Sequence, residues 1–161
     1  MLTFNQHNRT AWSDYFPGTN PTATLSSQEY TTTKTISGTY VYISNCLFSK
    51  CSSSSYGGAL SCTSATYFLA ESSSFFSCKT SAKYGGAIFS SNSNSGQCVL
   101  HKVCGNDCYS TSTSSSYGQF ARMHLSNVAE SKNCVNYSSI VRCVIGNSNS
   151  NYNLYLYYGK I

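Results

Sequence analysis

Tyr56-Gly57-Gly58-Ala59-Leu60, inside SSSSYGGALSC (Ser52–Cys62), returns 28 residues later as Tyr84-Gly85-Gly86-Ala87-Ile88, inside TSAKYGGAIFS (Thr80–Ser90). One copy would be an ordinary turn leading into a strand. Two copies in register mean that the architecture itself has a period. Upstream of each copy the match continues. YVYISNCLFSKC (Tyr40–Cys51) lies on YFLAESSSFFSC (Tyr67–Cys78) at an offset of 27, which puts Phe48 on Phe75 and Cys51 on Cys78, each pair inside an F-x-x-C tetrad. A third, blurred pass is QCVLHKVCGNDC (Gln97–Cys108) followed by YGQFARM (Tyr117–Met123). NVAESKNC, SSIVRCVIG and YNLYLYY read as further strands without a clear register.

Each unit therefore reads as three short strands separated by turns. At about 27–32 residues it is too short for a propeller blade and lacks the Leu and Asn ladder of a leucine-rich repeat. It fits one coil of a parallel β-helix, an all-β solenoid of about four to five coils in which equivalent residues stack. Gly57-Gly58 and Gly85-Gly86 then allow the bend into a strand, where a Cβ would restrict the backbone. An antiparallel sandwich would explain the strands but not the shared register of Ala59 and Ala87. Residues 1–34, with both prolines in FPGTNPTAT and the run TTTKT, read as an N-terminal arm or cap, and residues 35–161 as β-helix repeats of what is expected to be a longer chain.

Composition agrees with strands and turns. Of 161 residues, 32 are Ser and 15 Thr, 14% are aromatic, and only 9% are charged, against roughly 25% in ordinary soluble domains. The aromatic area argues against a disordered chain. Local disorder is expected at Ser52–Ser55, Ser110–Ser116 and Asn147–Asn153. The formal charge of +5 comes from singly scattered Lys and Arg, so no nucleic acid partner is expected. No run approaches the roughly 20 apolar residues of a membrane span. The N-terminus has no basic start or apolar stretch of a secretory signal, which leaves a cytoplasmic or cytoskeletal site open beside the surface of the cell.

The GGA-aliphatic segments together with the F-x-x-C tetrads resemble the GGA and F-x-x-N repeats of chlamydial polymorphic outer membrane proteins. The Ser-, Tyr- and Cys-rich texture is similar to the right-handed β-helix families of trichomonad protists. The resemblance covers roughly residues 35–145 and implies a right-handed, pectin-lyase-like solenoid displayed at a cell surface for adhesion. Cys51 and Cys78 stand where the bacterial motif has Asn, so a Cys stack is expected in place of an Asn ladder. The expected structural repeat is Phe48, Cys51, Gly57, Gly58, Ala59, Phe75, Cys78, Gly85, Gly86 and Ala87.

Nine cysteines is an odd number, so at least one is unpaired in a monomer. Buried thiols, disulfides and metal binding all remain open. The metal candidate is His101, Cys104, Asp107 and Cys108 in HKVCGNDC, but strand alternation sends these side chains to different faces, so no metal or other cofactor is expected. Catalysis would need paired carboxylates. The five acids (Asp14, Glu29, Glu71, Asp107, Glu130) are dispersed; the LAE and VAE contexts of Glu71 and Glu130 are the one hint of a shared face. G-x-S-x-G is absent. The sequence thus predicts a non-enzymatic structural or adhesive rod that binds a protein or glycan surface and is able to self-associate through its coil ends. The alternatives are an intracellular scaffold and a polysaccharide-active enzyme.

Overall fold

The computed structural model describes residues 11–92, 96–112, 117–126, 131–143 and 152–158. After one short helix, α1 (Ala11–Tyr15), the chain winds as a parallel β-solenoid. The first coil holds β1 (Ala23–Ser26), β2 (Glu29–Tyr30) and β3 (Lys34–Ile36). The second holds β4 (Tyr40–Ser44), β5 (Leu47–Ser49), β6 (Ser52–Ser53) and β7 (Leu60–Cys62). The third holds β8 (Tyr67–Glu71), β9 (Ser74–Phe76), β10 (Lys79–Thr80) and β11 (Ile88–Ser90). The fourth holds β12 (Gln97–His101), β13 (Cys104–Asn106), β14 (Tyr109–Ser110) and β15 (Ala121–Leu125). The last contributes β16 (Cys134–Asn136), β17 (Ser139–Val141) and β18 (Leu154–Tyr158).

Equivalent strands pair in parallel. Sheet A is β1-β4-β8-β12-β16, sheet B is β2-β5-β9-β13-β17, sheet C is β3-β7-β11-β15-β18, and the narrow sheet D is β6-β10-β14. Every strand pairing among the described residues is parallel, which excludes the antiparallel sandwich. Solenoid pairing begins at Ala23 rather than at Thr35. The first coil is rich in Thr and Ser, so its alternation carries too little apolar signal to read. Sheet D is equally silent in the sequence, as its two-residue strands are mostly polar. Ser52–Ser53, expected to be disordered, pairs there with Lys79–Thr80. Residues 113–116 and 147–151 lie outside the described residues.

The two clear repeats stack as adjacent coils. Leu60 pairs with Ile88, and both Ala59 N and Leu60 N donate to the Ala87 carbonyl at 2.9 Å. Gly57 and Gly85 have φ of +75° and +65°, as does Gly118 in the next coil at +68°, a region where a Cβ is disfavoured. At Gly58 the constraint is space: a Cβ would sit 2.0 Å from the Gly86 carbonyl oxygen. Phe48 pairs with Phe75, and their rings stack at 4.8 Å and 2°. Tyr30 extends this column at 4.9 Å from Phe48.

In the fourth coil the column changes hands. Gly105 occupies the Phe position, and Phe120 occupies the position of Ala59 and Ala87. The Phe120 ring meets Phe75 edge-on at 5.8 Å and fills the space over Gly105, where a Cβ would approach it to 2.3 Å. Large-plus-small has become small-plus-large within one cross-section, because a core at organic-crystal density has no slack for two rings.

Cys51, Cys78, Cys108 and Cys143 form one buried column at the corner between sheets B and D. Each follows a residue with positive φ: Lys50, Ser77, Asp107 and Arg142. That left-handed step turns the chain and aims the thiol inward. Cys78 N and Cys108 N donate to the sulfurs of Cys108 and Cys143, both at 3.4 Å. The thiols lie within 3.2–3.5 Å of carbonyls, Cys78 with Phe48, Cys108 with Phe75, and Cys143 with Val141. The thiol thus accepts and donates along the corner, as an amide side chain would.

Phe75→Ala should lower unfolding free energy by about 3–5 kcal/mol, measured by chemical denaturation; a loss near zero would contradict the stack. Gly105→Phe and Phe120→Ala should each destabilise alone, while the double variant recovers part of the loss, with a coupling of about 0.5–3 kcal/mol in a double-mutant cycle.

Candidate binding face

Outward positions on sheet C run Thr35, Ser61, Phe89, Arg122 and Tyr155 in successive coils. Beside them run Tyr56, Tyr84 and Tyr117, each the residue before a left-handed glycine. The glycine turn folds each tyrosine back along the outer side of sheet C. The rings form a continuous strip: Tyr56 to Tyr84 at 5.0 Å, Tyr84 to Tyr117 at 6.1 Å, Tyr117 to Tyr155 at 4.9 Å, with Phe89 4.8 Å from Tyr56. The Arg122 guanidinium lies 3.8 Å from the Tyr84 centroid, and 5.8 and 5.9 Å from Phe89 and Tyr155. Such contacts add about 0.5–1 kcal/mol each at exposed sites and fix the cation in place. Tyr56 is 39% exposed, while Tyr84, Tyr117, Arg122 and Tyr155 are half-buried. The sequence shows the tyrosines of the YGG units but not Arg122, Phe89 or Tyr155, whose common face appears only once the third pass and β18 are in register.

The other aromatic face, the outer side of sheet A, is covered by the chain itself. Tyr40 and Tyr67 stack at 5.0 Å, and Tyr42, Leu69 and Val99 form a buried row. α1 lays Trp12 and Phe16 on them, each 3% exposed, with Phe16 stacked on Tyr67 at 4.6 Å and 4°. The short helix is closed by its own loop: Trp12 Nε1 donates to the Thr19 carbonyl at 3.1 Å. The arm thus lies on the flank, across several coils. At its edge Tyr15 Oη lies 3.1 Å from His101 Nδ1 and accepts from Asn136 Nδ2 at 3.2 Å.

Among the described residues the carboxylates of Glu29, Glu71 and Asp107 do not converge. Glu29 lies on sheet B in the first coil, and Asp107 sits at a fourth-coil corner, where its Oδ2 accepts from Ser77 at 3.1 Å. Glu71, on sheet A in the third coil, accepts from the Tyr42 hydroxyl. Burial, then this hydrogen bond, raises the Tyr42 pKa. Glu130 lies outside the described residues. The HKVCGNDC group is dispersed too: His101 faces Tyr15, Cys104 lies outward on sheet B, Asp107 is at a corner, and Cys108 is in the inner column. Among the described residues no three His, Cys, Asp or Glu side chains converge as metal ligands.

All nine cysteines are free thiols, and seven are buried. Burial pushes the Cys98 thiol up to about 12 and raises Cys62 and Cys46 as well. A thiol held protonated is a poor nucleophile.

Comparisons with protein-family models, curated proteins and solved structures find no match.

Because burial shields seven of the thiols from reagents in solvent, thiol labelling of native protein near neutral pH should modify Cys104 and Cys134 first, and the seven buried cysteines only on unfolding, as counted by mass spectrometry. Trp12→Ala should destabilise by about 3–5 kcal/mol and speed proteolysis of the arm, since Tyr42, Leu69 and Val99 lose their cover.

Proposed function

We propose that the chain is a non-enzymatic β-helix with a structural and adhesive role, and that the sheet C strip of Tyr56, Tyr84, Tyr117, Phe89, Arg122 and Tyr155 is its contact face for a protein or glycan surface. The strip carries this reading. It gathers aromatic rings and a fixed cation on one side of a rigid solenoid, whereas the described acids are dispersed. Tyrosine offers large contact area at low entropy cost, and its hydroxyl adapts to polar partners. Arginine adds planar donors suited to carboxylate, sulfate or phosphate groups. Cell-surface display as part of a longer protein fits such a role.

A second reading, an intracellular scaffold built on the same rod, is favoured by the nine free cysteines, since reduced thiols persist in the cytosol. Locating the full-length protein in its cell separates the two.

Binding is tested by offering the purified chain a panel of plant, host and mucin polysaccharides and surface proteins. Tyr84→Ala and Arg122→Ala should each weaken binding by about tenfold or more, a change of about 1.4 kcal/mol. Replacing Glu71 and Glu130 together by Gln should leave binding unchanged. Release of reducing ends or unsaturated sugar that this double substitution abolishes would place the protein among polysaccharide-active enzymes instead.

A further inference from the structure

The corner between sheets A and B carries a groove that neither the core nor the sheet C strip uses. It spans the first three coils and holds about 630 Å³, within the range of about 300–1,000 Å³ in which ligand sites fall. One wall is the ladder of left-handed corner residues Ser27, Asn45 and Ser72, with φ of 52°, 52° and 46°. That conformation turns their side chains outward, and all three are exposed. The other wall is sheet B. Glu29, Leu47 and Ser74 follow one another there in register, and the Phe76 ring, 37% exposed, stands beside them. In the fourth coil the corner residue is Lys102, so the run of short polar side chains ends with the third.

These groups define what could lie between them. Hydroxyls and an amide repeat along one wall at the coil spacing of about 4.8 Å. Ser and Asn both donate and accept, whereas the Glu29 carboxylate only accepts. Among the described residues no Lys or Arg lines the groove. A ligand carrying carboxylate or sulfate would meet Glu29 without a compensating cation. Phe76 adds an apolar platform, because an aromatic face is the negative side of the ring quadrupole and attracts polarised C–H groups. Hydroxyls around the edge and C–H groups on the face of one flat ring are the chemistry of an uncharged sugar. An extended peptide fits less well. The corner main chain is already paired between coils, Ser27 N with the Ser44 carbonyl at 3.0 Å, Asn45 N with that of Glu71 at 3.2 Å and Ser72 N with that of His101 at 2.9 Å. The groove therefore offers a peptide no strand edge to extend.

We infer that this groove is a binding site for a neutral, hydroxyl-rich glycan chain that runs along the solenoid axis. One sugar ring stacks on Phe76, and the hydroxyls of its neighbours bond to Ser72, Asn45, Ser27 and Glu29. The site is separate from the sheet C strip, whose Arg122 suits anionic groups, and it stands whatever that strip binds.

The test titrates the intact, isotope-labelled chain with neutral oligosaccharides of glucose and of mannose, and with oligogalacturonates as the charged counterpart, following backbone amide shifts. A neutral member should bind and move the amides of Asn45, Ser72 and Phe76 but not those of Tyr84 and Tyr117. Oligogalacturonates should bind at least about tenfold more weakly. Phe76→Ala should weaken neutral binding by about tenfold or more, and Glu29→Gln should narrow the gap between neutral and acidic chains. Both side chains are exposed, so circular dichroism and the melting temperature should stay near wild type. If a variant fails to fold, the wild-type shift map and the preference for neutral over acidic chains decide alone. Four results would each overturn the proposal: no binding of any neutral member, including the case where only a peptide moves these amides; shifts confined to the sheet C strip; oligogalacturonates bound equally or more tightly; or undiminished binding by a folded Phe76→Ala variant.

Discussion

Parallel strand pairing sets neighbouring coils about 4.8 Å apart, and nearly everything in this molecule answers to that spacing. An inward side chain has the residue of the coil above on one side and that of the coil below on the other. It cannot choose its neighbours as a residue in a globular core can. Phe48 must tolerate Tyr30 and Phe75 at ring-stacking distance, and does so with planes 27° and 2° apart. Area buried by one coil is usable only if the adjacent coils present matching area. Stability therefore resides in columns of residues, each set by its nearest neighbours, as in other solenoids.

The corners show how the backbone meets the same constraint. A coil must turn several times without leaving peptide groups unsatisfied in a dry interior. Here it turns with single left-handed residues, Asn45, Ser72 and Lys102 between sheets A and B and Lys50, Ser77 and Asp107 after sheet B. The next side chain points inward and is small; after Lys102 it is the apolar Val103, and at the other five corners it is a Ser or Cys able both to donate and to accept. Ser73 Oγ accepts from Cys46 N at 3.1 Å and donates to the Glu71 carbonyl at 2.8 Å, while thiols serve the other corner. Cys46, Cys51, Cys78, Cys108 and Cys143 are thus committed as packed, hydrogen-bonding groups of the wall rather than as disulfide partners.

What could be read from the sequence follows from the same logic. Positions whose environment allows few residues are legible: Gly57 and Gly85 by conformation, Phe48 and Phe75 by volume, Cys51 and Cys78 by size and hydrogen bonding. The left-handed corner positions are not, because their side chains point to solvent and Asn, Ser, Lys, Asp, Tyr and Arg all serve. Sheet D is hidden because two-residue strands show no alternation. The strip on sheet C is half legible. Its tyrosines share a motif, but Arg122 and Tyr155 join them only through the pairing of β15 with β18. α1 carries no periodic signal, and Trp12 becomes interpretable only when sheet A supplies Tyr42 and Tyr67 to cover.

The exchange of Gly105 with Phe120 bears on how such a rod changes over generations. Copies of a coil start out alike, and drift is free only where side chains meet solvent. In the ring column one large side chain is admitted per layer, so the two positions are inherited as a pair. A lineage moving its ring from one wall to the other passes through a layer with either two rings or none. The layer with none is the passable one, because a void costs stability yet leaves the strands in register. Once crossed, the exchange marks that layer. The fourth coil cannot be traded for the third without disturbing the coils beside it, so coils that share one plan are individual parts.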